Sequence, residues 1–116
     1  MKFPPLLIGI LSYFIGQLLV FYQHNGQFIW KDLYAKYHWI NALAGVIITY
    51  FFIWGTKYTV EGMGGLLWPT RFIGFGIGMV IYTILLGIHF NEGVSLKTII
   101  SLIICIILIG IQVLWK

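Results

Sequence analysis

The sequence predicts an all-α membrane protein: four transmembrane helices, with a short interfacial helix between the first and second, in one domain over residues 1–116. Three observations predict it. First, 60% of the residues are hydrophobic and only 9% are charged, where a soluble domain carries about 25% charged residues. So few charges cannot coat a water-facing surface, and the mean hydropathy of +0.97 points to lipid as the main solvent. Second, the apolar residues gather into four runs, each near the roughly 20 residues that cross a hydrocarbon core of about 30 Å. Third, the seven basic residues stand singly at the edges of those runs. That suits snorkelling to lipid headgroups and does not make a nucleic-acid-binding patch.

The first span is expected from about Pro4 to Tyr22, with Pro4 and Pro5 in its first turn, where a missing N–H costs little. Lys2 and "FPPLLIGILSYFIG" resemble the start of a signal peptide, but no small-residue cleavage site follows. The segment is expected to be retained. The connection "QHNGQFIWKDLYAKYHW" opens on Asn25-Gly26, a turn signal. Ile29, Leu33 and Tyr37 then recur at helical spacing, with Lys31, Asp32 and Lys36 on other faces and Trp30, Tyr34 and Trp39 alongside. This pattern predicts a short helix lying in the interface.

The second span is expected from about Trp39 to Gly55, followed by a "TKYTVE" connection. The third lies between Gly62 and Phe90, and the fourth from about Leu96 to Trp115. An Asn91-Glu92-Gly93 turn precedes the fourth, with Ser95 as a possible N-cap.

The third segment has two registers. As one helix from Gly62 to Asn91 it would be about 45 Å long, too long without tilt or a break, and Pro69 supplies a break. In one register the span begins near Thr70, Arg71 snorkels to headgroups and "GMGGLLWP" lies in the interface. In the other the helix begins near Gly62, and Arg71 lies in the membrane zone facing protein, water or an anion. Gly74 and Gly78 then form a GxxxG packing pair, with Gly76 on another side. With Pro69 these glycines are either a tight-packing surface or a hinge.

Polar residues inside the spans mark faces that meet protein. On the first span Gly9, Tyr13, Gly16 and Gln17 share a face, which suits a helix seam or the wall of a polar cavity. On the fourth, Ser101, Cys105, Leu108 and Gln112 make a stripe expected at a dimer contact, with packing inside one chain as the alternative. Asn41 suits a cap, and Thr49 can return its hydroxyl to its own helix.

Charge does not set an orientation. With the N-terminus inside, Lys2, Lys57 and Lys116 lie inside, joined by Arg71 in one register, against Lys31, Lys36 and Lys97 outside. The positive-inside rule is near balance. A dual-topology antiparallel dimer and a single orientation fixed by other features both remain open.

Catalytic chemistry is sparse. Asp32, Glu61 and Glu92 all lie in or near connections, and there is no Ser/His/Asp grouping and no Cys/His metal spacing. His24, His38 and His89 fall near membrane edges, which does not suit a bis-histidine haem. Cys105 stands alone and cannot form an internal disulfide. The expectation is a non-enzyme with no cofactor, no metal and no nucleic-acid partner.

Residues 55–68, "GTKYTVEGMGGLLW", resemble the small multidrug resistance family, the four-helix branch of the drug/metabolite transporter superfamily, at Thr56, Lys57, Gly62 and Trp68. "FNEGVSLKTIISLIICIILIGIQVLW" is similar to that family's acidic turn and last helix, with Glu92 as the acid, and Asn25-Gly26 also fits. The resemblance implies a homodimeric transporter in a bacterial cytoplasmic membrane, with Gly62 starting the third helix and Arg71 in the membrane zone. The family's first-helix glutamate is missing from "GILSYFIGQLL", and Pro69-Thr70-Arg71 replaces its glycine-rich kink. Losing the acid and gaining an arginine turns the expected substrate from a cation to an amphipathic or lipid-linked anion. Arg71, Trp68, Tyr13 and Gln17 would line its path. The alternative is a non-transporting subunit of a larger membrane complex.

Overall fold

A computed structural model describes residues 2–92 and 94–115. Among them the chain forms α1 (Phe3–Ile29), α2 (Lys31–Lys36), α3 (His38–Leu43), α4 (Gly45–Gly62), α5 (Leu67–Phe90) and α6 (Leu96–Leu114). Phe3–Ile29, His38–Gly62, Leu67–Phe90 and Leu96–Leu114 are long and apolar enough to cross a membrane.

α1 is the central helix, packed along α4 on one side and α5 on the other, and α6 joins mainly through α5. The bundle measures 49 × 36 × 18 Å. Its thinnest dimension is less than two helix diameters of about 10–12 Å each, so much of each helix faces outward. The buried apolar residues are few, among them Leu6, Tyr13, Phe21, Ile48, Ile81 and Leu85. Apolar side chains gain nothing by hiding from lipid, so the packing rests on close backbone approach instead.

The α1–α4 seam shows this. The helices run antiparallel, with the Lys2 N–H donating to the Gly62 carbonyl at 2.7 Å. Gly9 lies against Thr59, Gly16 against Phe51 and Phe52, Gly55 against Tyr13 and Gly62 against Leu6. α1 and α5 run parallel. Gly74 packs on Tyr13 and Gly78 on Gln17; further along, Phe21 clusters with Ile81 and Leu85.

Several element boundaries differ from the sequence expectation. α1 does not end at Tyr22 but runs on through Asn25-Gly26 to Ile29. Gly26 is buried there under the Tyr34 ring, and the Tyr34 hydroxyl donates to the Tyr22 carbonyl at 2.9 Å. A tertiary contact thus overrides the turn propensity of the Asn-Gly pair. The interfacial-helix segment becomes the six-residue α2, set off from α1 at Trp30 and from α3 at Tyr37.

The second span does not stop at Gly55. "TKYTVE" belongs to α4, and the chain turns at Gly64 and Gly65, whose φ values of +72° and +88° suit glycine. Gly62 therefore ends the second span and does not start the third. Pro69 does not break a longer helix: α5 begins at Leu67, so the proline sits in the first turn, where no intrahelical N–H bond is needed. Asn91, at φ +52°, ends α5; Gly93 of the expected turn lies outside the described residues. Ser95 caps α6 as expected, accepting from the Thr98 N–H at 3.3 Å.

Candidate functional site

The site grows from the α1 face that carries Tyr13 and Gln17. Tyr13 is buried, with its ring wedged between Gly55 of α4 and Gly74 of α5. A Cβ at Gly55 would come within 2.8 Å of that ring, so the glycine is what admits the tyrosine. Its hydroxyl shares a 2.8 Å hydrogen bond with Thr56 Oγ1. One turn on, Gln17 Nε2 donates to the Gly74 carbonyl at 3.3 Å, and its amide lies over Gly78. The GxxxG pair thus receives two polar side chains from α1.

Beside them, about one turn into α5, stands Arg71. Tyr13, Gln17 and Arg71 line one cavity of about 290 Å³ at the junction of α1, α4 and α5, with Phe52 as its α4 wall. No carboxylate lines it. A guanidinium without an acid beside it offers a planar fork of donors, the geometry that holds a phosphate or carboxylate in two parallel hydrogen bonds. The tyrosine and glutamine add neutral polar groups where bare hydrocarbon would offer none.

The other expected residues are distributed differently. Trp68 does not line this cavity; it is 70% exposed and tilts against Phe72. Gly76 faces away, against Ile109 of α6. α5 is continuous through Gly74, Gly76 and Gly78, and all three are packed against side chains. On the fourth span the stripe divides. Cys105 lines a mostly apolar cavity of about 480 Å³ between α1, α5 and α6, and Gln112 is half-buried. Ser101 and Leu108 are exposed. The Ser101 hydroxyl donates to the Lys97 carbonyl at 2.9 Å, so it has a partner in its own helix.

Sequence reasoning missed Tyr82, another wall of the arginine cavity. A signal for it exists: Arg71, Phe75, Gly78 and Tyr82 recur at spacings of four, three and four, one face of α5. Two interhelical locks were also missed. Asn41 is not a cap: it lies inside α3 and exchanges hydrogen bonds with Gln23, side chain to backbone carbonyl, at 2.9 and 3.2 Å. Tyr22 and His89 share a 2.8 Å hydrogen bond that ties α1 to the end of α5. No group of three or more potential metal ligands occurs among the described residues. No family model, curated protein or solved structure matches the chain.

Proposed function

We propose that the protein is a small integral-membrane transporter of the drug/metabolite transporter type, working as a homodimer on an amphipathic, phosphate-bearing anion. The observation that carries this reading is the shared cavity of Tyr13, Gln17 and Arg71 with no carboxylate on its wall. α5 starts at Leu67, between the two registers; an arginine about one turn in can snorkel to headgroups, and the cavity that Arg71 lines gives it room for an anion at that depth. The absence of an acid on α1 around Tyr13 argues against a proton-coupled cation exchanger.

The resemblance to the small multidrug resistance family at Thr56, Lys57, Trp68 and Glu92 supports the transporter class. Gly62, at the end of α4, departs from the register that the resemblance implies. In this reading α2, with Trp30 and Tyr34 stacked at its start, lies in the membrane interface. The second copy covers the outward faces, in a parallel or dual-topology pair. A bacterial cytoplasmic membrane is the setting that the family resemblance implies.

A second reading rests on α6, which has no buried residue. Its exposed isoleucine-rich surface also suits a non-transporting subunit seated against a larger membrane partner.

Thermal unfolding in mild detergent tests the proposal. Short-chain phosphatidylglycerol should raise the wild-type midpoint more than phosphatidylcholine does. A ligand at 100 times its Kd contributes about 2.7 kcal/mol. Arg71→Ala should lose the difference between the two lipids. An equal response of wild type and Arg71→Ala to phosphatidylglycerol would overturn the assignment.

A further inference from the structure

The arginine cavity is one of three that adjoin along the same face of the bundle. A small cavity of about 80 Å³ shares Gln17, Gly78 and Tyr82 with it and adds His24 and Asn25. A wider one of about 460 Å³ shares Asn25 and Tyr82 with the small one and adds Lys31 and Glu92. Together they follow the α1–α5 seam. Tyr13 and Asn25 are about 18 Å apart along α1, with Arg71 at one end of the run and Lys31 at the other.

Tyr82 alone lines all three cavities, and it stands at the narrow middle. Its ring is edge-on to Phe21 and 43% exposed, so it is supported on one side and free on the other.

We propose that this seam is a lipid-open groove along which a phosphate-bearing lipid headgroup passes between the Arg71 end and the Lys31 end, its acyl tails remaining in the bilayer, with Tyr82 as the side chain it must pass. The inference rests on the reading of the arginine cavity as an anion site. Charge and polarity favour this occupant. Both ends carry a cation, and Gln17, His24 and Asn25 line the stretch between them, in place of the hydrocarbon that makes a polar group costly at that depth; the Gln17 and Asn25 amides also donate to the Gly74 and Phe21 carbonyls. Glu92 balances Lys31 at one mouth, so the net positive charge lies at the Arg71 end. Arg71 and Tyr82 are both exposed, so the groove is open along its side. A side opening suits a molecule whose tails must stay in lipid, whereas a free ion would need a closed wall.

The test uses the full chain in phosphatidylcholine vesicles containing tail-labelled fluorescent phosphatidylglycerol, with dithionite bleaching label in the outer leaflet. The wild type should carry inner-leaflet label outward, so that bleaching goes beyond the outer-leaflet share. Tyr82→Ala should speed this by about tenfold and Tyr82→Trp slow it by about tenfold, a barrier change of about 1.4 kcal/mol each way. Tyr82→Phe should match the wild type. The opposite signs separate a passage effect from misfolding, which would lower every rate.

Equal rates in wild type, Tyr82→Ala and Tyr82→Trp would overturn the groove. So would no lipid movement by a protein that phosphatidylglycerol still stabilises through Arg71; the anion site would then stand without the groove. Loss of both would sink the site as well. A parallel arm loads the vesicles with inorganic phosphate. Arg71-dependent phosphate release without lipid movement would assign the groove to a free anion and overturn the proposal.

Discussion

Replacing Gly9 with alanine tests the closest approach of a glycine to a neighbouring backbone among the described residues. A Cβ there would lie 2.6 Å from the Thr59 backbone nitrogen and 3.0 Å from its Cα, where ordinary contact begins at 3.4 Å. The obstacle is backbone, so no rotamer change relieves it. α1 and α4 must separate locally by about 0.8 Å. A gap of 0.5–1 Å forfeits about a quarter to a half of each contact's attraction, and the overpacking itself costs about 1–3 kcal/mol. The gain in helix propensity from glycine to alanine returns about 1 kcal/mol. A net loss of about 1–2 kcal/mol is expected, read from reversible titration with sodium dodecyl sulfate in mild detergent.

Gly87→Ala is the control, because nothing lies within 4 Å of a Cβ built there. It should be neutral or stabilising by up to about 1 kcal/mol. If Gly9→Ala proves as stable as Gly87→Ala, the α1–α4 seam is looser than described. The Tyr13 pocket built on that seam would then lose its support.

Other expectations follow from single contacts. Tyr13→Phe should cost about 1 kcal/mol, and a double-mutant cycle with Thr56→Val should assign most of it to the bond between the two hydroxyls. Additive losses would show that the bond contributes nothing. Ser95→Ala removes the α6 cap and should cost about 1 kcal/mol; no change in detergent stability would mean that the Thr98 N–H finds another partner. Arg71→Lys should keep the preference for phosphatidylglycerol over phosphatidylcholine but weaken it, because a single ammonium replaces the two-pronged guanidinium. Full retention in Arg71→Lys would point to charge alone, without the fork.

The four spans and their order were legible because long apolar runs and isolated edge charges are strong signals. Their ends were less so, since turn propensity is a local quantity and the deciding contacts are distant. Asn25-Gly26 reads as a turn until Tyr34 covers Gly26. Gly55 reads as a stop until Tyr13 is packed on it. Tyr13, Gln17 and Arg71 could be nominated as polar residues in lipid, but the parallel packing of α1 on α5 that joins them has no local signature. Trp68 was nominated through the family motif, and its own position, in the first turn of α5, turns it outward. The α6 stripe does not act as a unit: Leu102, Cys105, Ile106 and Ile109 line the cavity that α6 shares with α1 and α5, and Ile109 packs on Gly76, so only Cys105 belongs to both sets.

The most direct test of the central claim is native mass spectrometry of the protein extracted in a mild detergent. A dimer that retains an anionic phospholipid is expected, with Arg71→Ala still dimeric but stripped of it. A monomer without lipid, one copy held by a different polypeptide, or lipid retained equally by Arg71→Ala would contradict the claim.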